Sequence, residues 1–315
     1  MKYFLGIESS CDETAAAVVT GDLKILSNVV SSQIPIHAKY GGVVPEIASR
    51  NHITTIAPVV AEALAVAGIE PSQITAVAAT TQPGLPGAVL VGRVFGESLA
   101  TALGVPFYPV NHIHGHIAST MFDGCEGNMS LVISGGHTSL YNVDKSGVIT
   151  VAEATLDDAI GEAFDKVARI LGLPYPGGPE IEKLATGFNG ELIQFVAKPN
   201  YAMQGFSYSG IKTAVLNYVN RLKQKNQPVD IAQVAASFQR EAIAQLVYKC
   251  LRALRKAGAK TLCISGGVSI NKVVRETLTT ECAALGVEVR FPPVELCGDN
   301  AAMIAGAAIM GLRGN

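Results

Sequence analysis

One order of elements, met twice, most constrains what this chain can fold into. Alternating apolar residues predict strands over residues 3–8, 15–20 and 25–32, the first two joined by the polar turn Ser9-Ser10-Cys11-Asp12-Glu13-Thr14. A long amphipathic helix is expected over residues 45–67, then a strand over 76–80, a helix over 88–103 and a strand over 106–110. The order then restarts with strands over 130–134, 139–143 and 148–152, the first two joined by Gly135-Gly136-His137. Helices over 157–171, 212–223 and 231–257, a strand over 261–265, a helix over 272–285, a strand over 287–290 and a last helix from about residue 300 complete it. A duplicated three-stranded meander followed by alternating helices and strands predicts an α/β chain of two similar lobes, each a mixed sheet flanked by helices. The expected lobes are residues 1–111 with 296–315, and residues 112–295, with a ligand cleft where strand ends and turns converge. A single larger sheet is the alternative.

Length agrees with two lobes, because 315 residues exceed the roughly 250 to 300 at which one core stops growing. With 49% apolar and 16% charged residues, the chain has the composition of a globular protein. The start reaches an acid, Glu8, too soon for a secretory signal, and the apolar run 301–312 is shorter than the about 20 residues a bilayer needs. These features predict a cytoplasmic protein with no membrane partner. Six scattered cysteines (Cys11, Cys125, Cys250, Cys263, Cys282, Cys297) without a C-x-x-C pair fit reduced thiols. A net charge of −2 gives no global footprint for nucleic acid, which leaves two local basic patches to weigh. One is the run Arg221-Leu222-Lys223-Gln224-Lys225; the other is Lys249, Arg252 and Lys256 on one helical face.

Four turns suit a polyanion: Ser9 to Thr14, Ser134-Gly135-Gly136-His137, Ser265-Gly266-Gly267 and Pro176-Gly177-Gly178-Pro179. Glycine there lets backbone N–H groups approach oxygens without a Cβ in the way. Asn271 stands at the N-cap of the helix from Lys272, where it either caps or also touches a ribose or base. No G-x-G-x-x-G opens a β-α unit and no G-x-x-x-x-G-K-[ST] occurs; in Gly205 to Thr213, Ile211 stands where the lysine would be. Rossmann and P-loop enzymes recede, and the actin-like class, which grips phosphates with two glycine hairpins, remains.

In Asn111-His112-Ile113-His114-Gly115-His116, His112 and His116 share a helix face and suit one metal ion, while His114 points elsewhere. A zincin would need glutamate where Ile113 stands. Asp299, in Cys297-Gly298-Asp299-Asn300, is either a third ligand or a plain N-cap. Two imidazoles and a carboxylate with open positions suit iron(II) or zinc(II).

Taken together these motifs resemble the TsaD-type tRNA threonylcarbamoyltransferases of the actin-like ATPase superfamily. The resemblance runs nearly end to end, through Gly6-Ile7-Glu8-Ser9-Ser10-Cys11-Asp12-Glu13-Thr14, Tyr40-Gly41-Gly42-Val43-Val44-Pro45-Glu46, the His112/His116 motif and Ser134-Gly135-Gly136-His137-Thr138. It continues in Gly161-Glu162-Ala163-Phe164-Asp165-Lys166, Tyr175 to Pro179, Phe206 to Thr213, Gly266 to Asn271 and Asp299-Asn300. It implies that His112, His116 and Asp299 hold one divalent metal, iron(II) before zinc(II), and that Val132, Ile133, Ser134, Gly135, Gly136, Asp165, Gly178, Glu182 and Asn271 line an adenylate site. Without it, Asp165 and Glu182 read as solvated helix charges.

The reaction implied is transfer of threonylcarbamoyl from threonylcarbamoyl-AMP to adenosine 37 of tRNAs that read codons beginning with adenine. ATP, ADP or AMP would also fit the site, and Asp12, Glu13 and His137 are the candidates for moving the proton. The implied partners are tRNA, a TsaB-like paralogue, a TsaE-like ATPase and the synthase that makes the donor. Gln82 departs from the family's usual residue in a cleft loop, and the chain ends soon after its last helix, a departure that bears on partner or tRNA contact. The alternative is an actin-fold small-molecule kinase or carbamoyltransferase.

Overall fold

The computed structural model of the chain describes residues 1–122, 124, 129–196 and 203–314; Cys125 lies outside them. Two compact units result. The first comprises Met1–Glu126, Val143–Thr150 and Phe291–Asn315, and the second Gly127–Asn142 and Val151–Arg290.

In the first unit the meander β1 (Tyr3–Glu8), β2 (Glu13–Thr20) and β3 (Ile25–Ser32) leads through the short α1 (Ile34–His37) to α2 (Pro45–Ala67), β4 (Ala76–Gln82), α3 (Pro86–Leu103), β5 (Phe107–Asn111) and α4 (His112–Ser119). The sheet order is β3-β2-β1-β4-β5, antiparallel within the meander and parallel from β1 through β4 to β5. Side-chain alternation along β2 divides the core between two faces. Ala16 and Val18 pack with Leu5, Ile7 and the Ile56, Val59 and Val60 stripe of α2, whereas Ala15, Ala17 and Val19 pack with Ala301, Ala302 and Ala305 of α10 (Ala301–Met310).

Gly6 sets how closely α10 approaches. A Cβ at Gly6 would stand 2.2 Å from the Ala301 carbonyl oxygen and 2.9 Å from the Ala305 nitrogen, so only glycine admits the first turn of α10 onto β1. Helix α4 reaches α10 by the same device, because a Cβ at Gly115 would stand 2.8 Å from Ile304 Cδ1. This packing of α4 on α10 explains why residues 112–126, expected in the second lobe, belong to the first unit. It also places residues 291–295 there, ahead of the expected boundary at 296.

The remaining elements are β6 (Met129–Ile133), β7 (Thr138–Val143), β8 (Val148–Ala154), α5 (Ile160–Ile170), α6 (Gly177–Thr186), α7 (Ser209–Gln224), α8 (Ile231–Ala257), β9 (Thr261–Ser265), α9 (Lys272–Ala283), β10 (Glu288–Arg290) and β11 (Arg313–Gly314). Their sheet has the order β10-β9-β6-β7-β8-β11. Leu131, Ile133, Leu140, Leu262 and Ile264 of its strands are fully buried, and Phe164 of α5 meets Phe238 of α8 edge to face at 5.0 Å. Two meanders and their helices thus follow the expected order.

Local expectations change as well. Helix α5 begins at Ile160 rather than 157, because Asp157 accepts from the Tyr208 and Ser209 N–H groups and Asp158 pairs with Lys166 and Lys212. The second basic patch does not form: Lys249 is buried and donates to the Met203 carbonyl, and Arg252 pairs with Glu153 at 2.6 Å. Arg221, Lys223 and Lys225 are exposed at the end of α7, where positive charge complements the helix dipole. No disulfide joins Cys11, Cys250, Cys263, Cys282 or Cys297, and among the described residues no helix is long and apolar enough to cross a membrane.

Candidate functional site

Asn111 starts α4 by accepting from the Ile113 N–H through its side chain at 2.8 Å, which fixes His112 as the first helical residue and His116 one turn later. Their rings stand edge to face with centroids 4.7 Å apart. Asp299 joins them from the segment before α10, its Oδ1 lying 3.2 Å from His116 Nε2 and 3.6 Å from His112 Nε2. Asp299 is not the N-cap of α10; Asn300 takes that position, accepting from the Met303 N–H, and this leaves the Asp299 carboxylate for the histidines. One candidate ligand atom from each residue lies within 4.8 Å of the other two, and all three residues belong to the first unit.

The environment fits a cation. His116 is fully buried and, among the described residues, neither ring nitrogen is aligned in a hydrogen bond, although Nε2 is close to Asp299. Leaving such a group unsatisfied costs about 1–3 kcal/mol, which a shared ion would offset. Burial pushes His116 below the ordinary imidazole value, toward the neutral form that ligates. Burial works the same way on His112, but the Asp299 and Glu8 carboxylates outweigh it and hold His112 up at about 9.

The acidic turn is held from behind by its carbonyls. Ser10 O accepts from Leu85 N at 2.8 Å, Cys11 O from His52 Nε2 at 2.9 Å, and Asp12 O from Gln33 N at 2.9 Å. Glu13 Oε1 accepts from the Ser32 hydroxyl at 2.9 Å. Burial pushes the Glu13 carboxyl up to about 9, reinforced by the charges of Asp12 and Asp299, so it keeps a proton at neutral pH.

In the second unit the predicted adenylate residues lie on elements that touch in a closed circuit. The Ser134 turn is a tight hairpin in which Ser134 N donates to His137 O at 2.8 Å and His137 N to Ser134 Oγ at 3.2 Å. Gly161 at the start of α5 packs on it, since a Cβ there would stand 2.5 Å from Ser134 O. Along α5, Asp165 Oδ1 accepts from Gly177 N of α6 at 2.8 Å. Glu182 of α6 accepts from Lys272 N of α9 at 2.7 Å, beside Asn271, which caps α9 through Val274 N at 3.0 Å. The circuit returns to β6 through Gly266, whose Cβ would stand 2.2 Å from Ile133 O.

Gly135, Gly136, Gly178 and Gly267 differ from these packed glycines, because a Cβ on any of them would meet nothing within 4 Å. Packing inside the protein does not require them to be glycine, and open backbone of this kind is what an approaching phosphate needs. Val132 and Ile133 are fully buried in β6, between β7 and β9, so they underlie the Ser134 turn. Asp165 and Glu182 are half-buried, and each receives an N–H at the start of a neighbouring helix.

Four groups were not anticipated: Glu8 and Ser10 beside His112, His52 behind the acidic turn, and Gln239, whose Oε1 accepts from Asn271 Nδ2 at 3.2 Å. A buried acid ending an apolar strand was the one available signal, at Glu8. A cavity of about 470 Å³ lined by Ser207, Gly210, Ile211, Arg240 and Glu241 includes none of the predicted residues.

Residues 24–306 match the model of the TsaD family, described as tRNA N6-adenosine threonylcarbamoyltransferase. A tRNA N6-adenosine threonylcarbamoyltransferase of Clostridium perfringens strain SM101 is 48% identical over 320 residues, covering 100% of this chain and 94% of the relative. One of Moorella thermoacetica is 49% identical over 311 residues, covering 96% and 90%. In fold, the chain is similar to component A of (R)-2-hydroxyglutaryl-CoA dehydratase from Acidaminococcus fermentans, with a TM-score of 0.59 at 15% identity, covering 98% and 97%. It is also similar to a ROK family glucokinase of Streptomyces griseus, with a TM-score of 0.52 at 13% identity, covering 97% and 98%. The fold is the actin-like α/β fold, and the chain belongs to the TsaD family of tRNA N6-adenosine threonylcarbamoyltransferases.

Proposed function

We propose that this transferase takes threonylcarbamoyl from threonylcarbamoyl-AMP and places it on N6 of adenosine 37 in tRNAs that read codons beginning with adenine. The observation that carries the metal part of the reading is the convergence of buried His112 and His116 with half-buried Asp299, with neither His116 nitrogen aligned in a hydrogen bond among the described residues. A divalent ion held by these three residues, iron(II) before zinc(II), supplies a Lewis acid that draws charge from an oxygen of the reacting group.

The adenylate part rests on the open glycines. Backbone at Ser134, Gly135, Gly136 and Gly178 takes the phosphate, with Val132 and Ile133 lining the site beneath the turn and Asp165, Glu182 and Asn271 at the ribose and base; ATP, ADP and AMP compete for the same groups. Helix-terminal bonds already hold Asp165, Glu182 and Asn271, so their placement precedes the ligand. N6 attacks the carbamoyl carbon, the bond from that carbon to the phosphate oxygen breaks, AMP leaves, and the N6 proton passes to Asp12 or His137, since Glu13 already holds a proton.

The protein acts in the cytoplasm with a TsaB-like paralogue, a TsaE-like ATPase and the donor-forming synthase. A net charge of −2 supports shared tRNA binding, because the chain carries no excess of positive charge with which to replace phosphate counterions. The test supplies these proteins, unmodified tRNA and radiolabelled threonine. Label should enter tRNA with wild type and fall to background with His112→Ala; full incorporation by that variant in the presence of a chelator would refute the metal role.

A further inference from the structure

Glu8 ends the central strand β1 with its carboxylate fully buried, yet no lysine or arginine pairs with it among the described residues. Burying an unpaired carboxylate costs several kcal/mol, so its partners must be specific ones. Three groups meet it: the Ser10 N–H on Oε1, the Thr80 hydroxyl at 2.5 Å on Oε2, and His112 Nδ1 at 3.1 Å on Oε2. An ionised carboxylate only accepts, so all three must donate.

That requirement decides the tautomer of His112. With its proton on Nδ1, facing Glu8, the Nε2 lone pair faces Asp299, where the candidate metal group converges. Ser10 Oγ lies equally near Nδ1, at 3.1 Å, and accepts the same proton without changing this outcome. His116 has no such support among the described residues, where its Nδ1 meets no hydrogen-bond partner. Charge points the same way: a divalent ion beside Asp299 with Glu8 behind His112 makes a neutral buried group.

We propose that Glu8 is a positioning residue, which acts through His112 to hold the imidazole as the Nδ1–H tautomer and present Nε2 to the metal. The inference rests on the metal reading above and concerns a residue outside the ligand set. Glu8→Gln is nearly isosteric but inverts the pattern. The Ser10 N–H still needs an acceptor and keeps the amide oxygen, which turns the amide NH₂ toward Thr80 and His112. His112 Nδ1 must then accept, and the proton moves to Nε2, the atom meant for the ion.

The experiment measures Zn²⁺ binding to the full chain by competition with a chromophoric chelator, and the visible spectrum of Co²⁺ as a second probe. Glu8→Gln should keep the circular dichroism of wild type and bind Zn²⁺ about 10–100-fold more weakly, the usual effect of removing such a partner. In a His112→Ala background the same substitution should change nothing further, which separates action through His112 from a general structural effect. Zn²⁺ binding by Glu8→Gln as tight as wild type would overturn the proposal. Should the variant fail to fold, long-range ¹⁵N correlation of Zn²⁺-loaded wild type decides instead: a protonated Nδ1 and a metal-shifted Nε2 at His112 support the assignment, and the reverse overturns it. Absence of Zn²⁺ and Co²⁺ binding by wild type would overturn the metal reading itself.

Discussion

His52 on α2 is bonded to Thr14 at the start of β2, Nδ1 lying 2.8 Å from the threonine hydroxyl, while its Nε2 holds the Cys11 carbonyl at 2.9 Å. The carbonyl only accepts, so Nε2 carries the proton and the Thr14 hydroxyl donates to Nδ1. One neutral imidazole therefore spans the two ends of the turn that carries Asp12 and Glu13, and burial, which pushes its pKa down, keeps it in that form.

His52→Ala should consequently loosen the acidic turn without touching the metal group. The half-buried Cys11 carbonyl loses its donor, a loss of about 1 kcal/mol, seen as a lower thermal midpoint. Turnover should fall while Zn²⁺ stoichiometry holds; loss of Zn²⁺ binding would show that the turn and the metal group are one structural unit.

Gly6→Ala tests how Asp299 is delivered. The added methyl would meet the Ala301 carbonyl at 2.2 Å, so α10 must move away from β1. Overpacking of this kind costs about 1–3 kcal/mol, and because Asp299 precedes α10, Zn²⁺ affinity should fall together with stability.

Two glycine substitutions in the second unit should separate packing from ligand approach. Gly161→Ala places a methyl 2.5 Å from Ser134 O and should lower the thermal midpoint. Gly135→Ala meets nothing within 4 Å, so stability should be nearly unchanged while calorimetry shows weaker AMP binding. Equal AMP affinity in Gly135→Ala and wild type would count against phosphate binding at this turn.

Acid stability should depend on Asp157. Burial raises its pKa, but the Ser207 and Ser209 hydroxyls and the Tyr208 and Ser209 N–H groups outweigh that and hold it below the ordinary value. The folded state therefore binds this proton less readily than the unfolded state, so the contribution is present above about pH 4 and is lost as pH falls through the folded value. Thermal midpoints measured from pH 7 downward should drop less steeply in Asp157→Asn, from a lower starting point.

Much of this was legible in the sequence because it is local. Strands of period two, the ends of α2 and α8, and the His112–His116 spacing depend on residues a few positions apart, which backbone geometry converts directly into faces. Helix α6 was not legible, since Pro176-Gly177-Gly178-Pro179 has turn composition; its start is held by Asp165, twelve positions earlier. Lys249 misled for the same reason, because helical spacing marks a shared face but not whether that face meets solvent or the Met203 carbonyl.

The sequence by itself determined the doubled α/β order, the glycine turns and the paired histidines. Tertiary structure decided that Asn300 rather than Asp299 caps α10, so that Asp299, a ligand the resemblance already implied, faces those histidines, that Gly6 and Gly115 admit α10 closely enough for this, and that the ring of His112 has an acid behind it. The physical reason is distance along the chain: Glu8, His112 and Asp299 are adjacent only because the β1 sheet, α4 and α10 bury their apolar faces against one another.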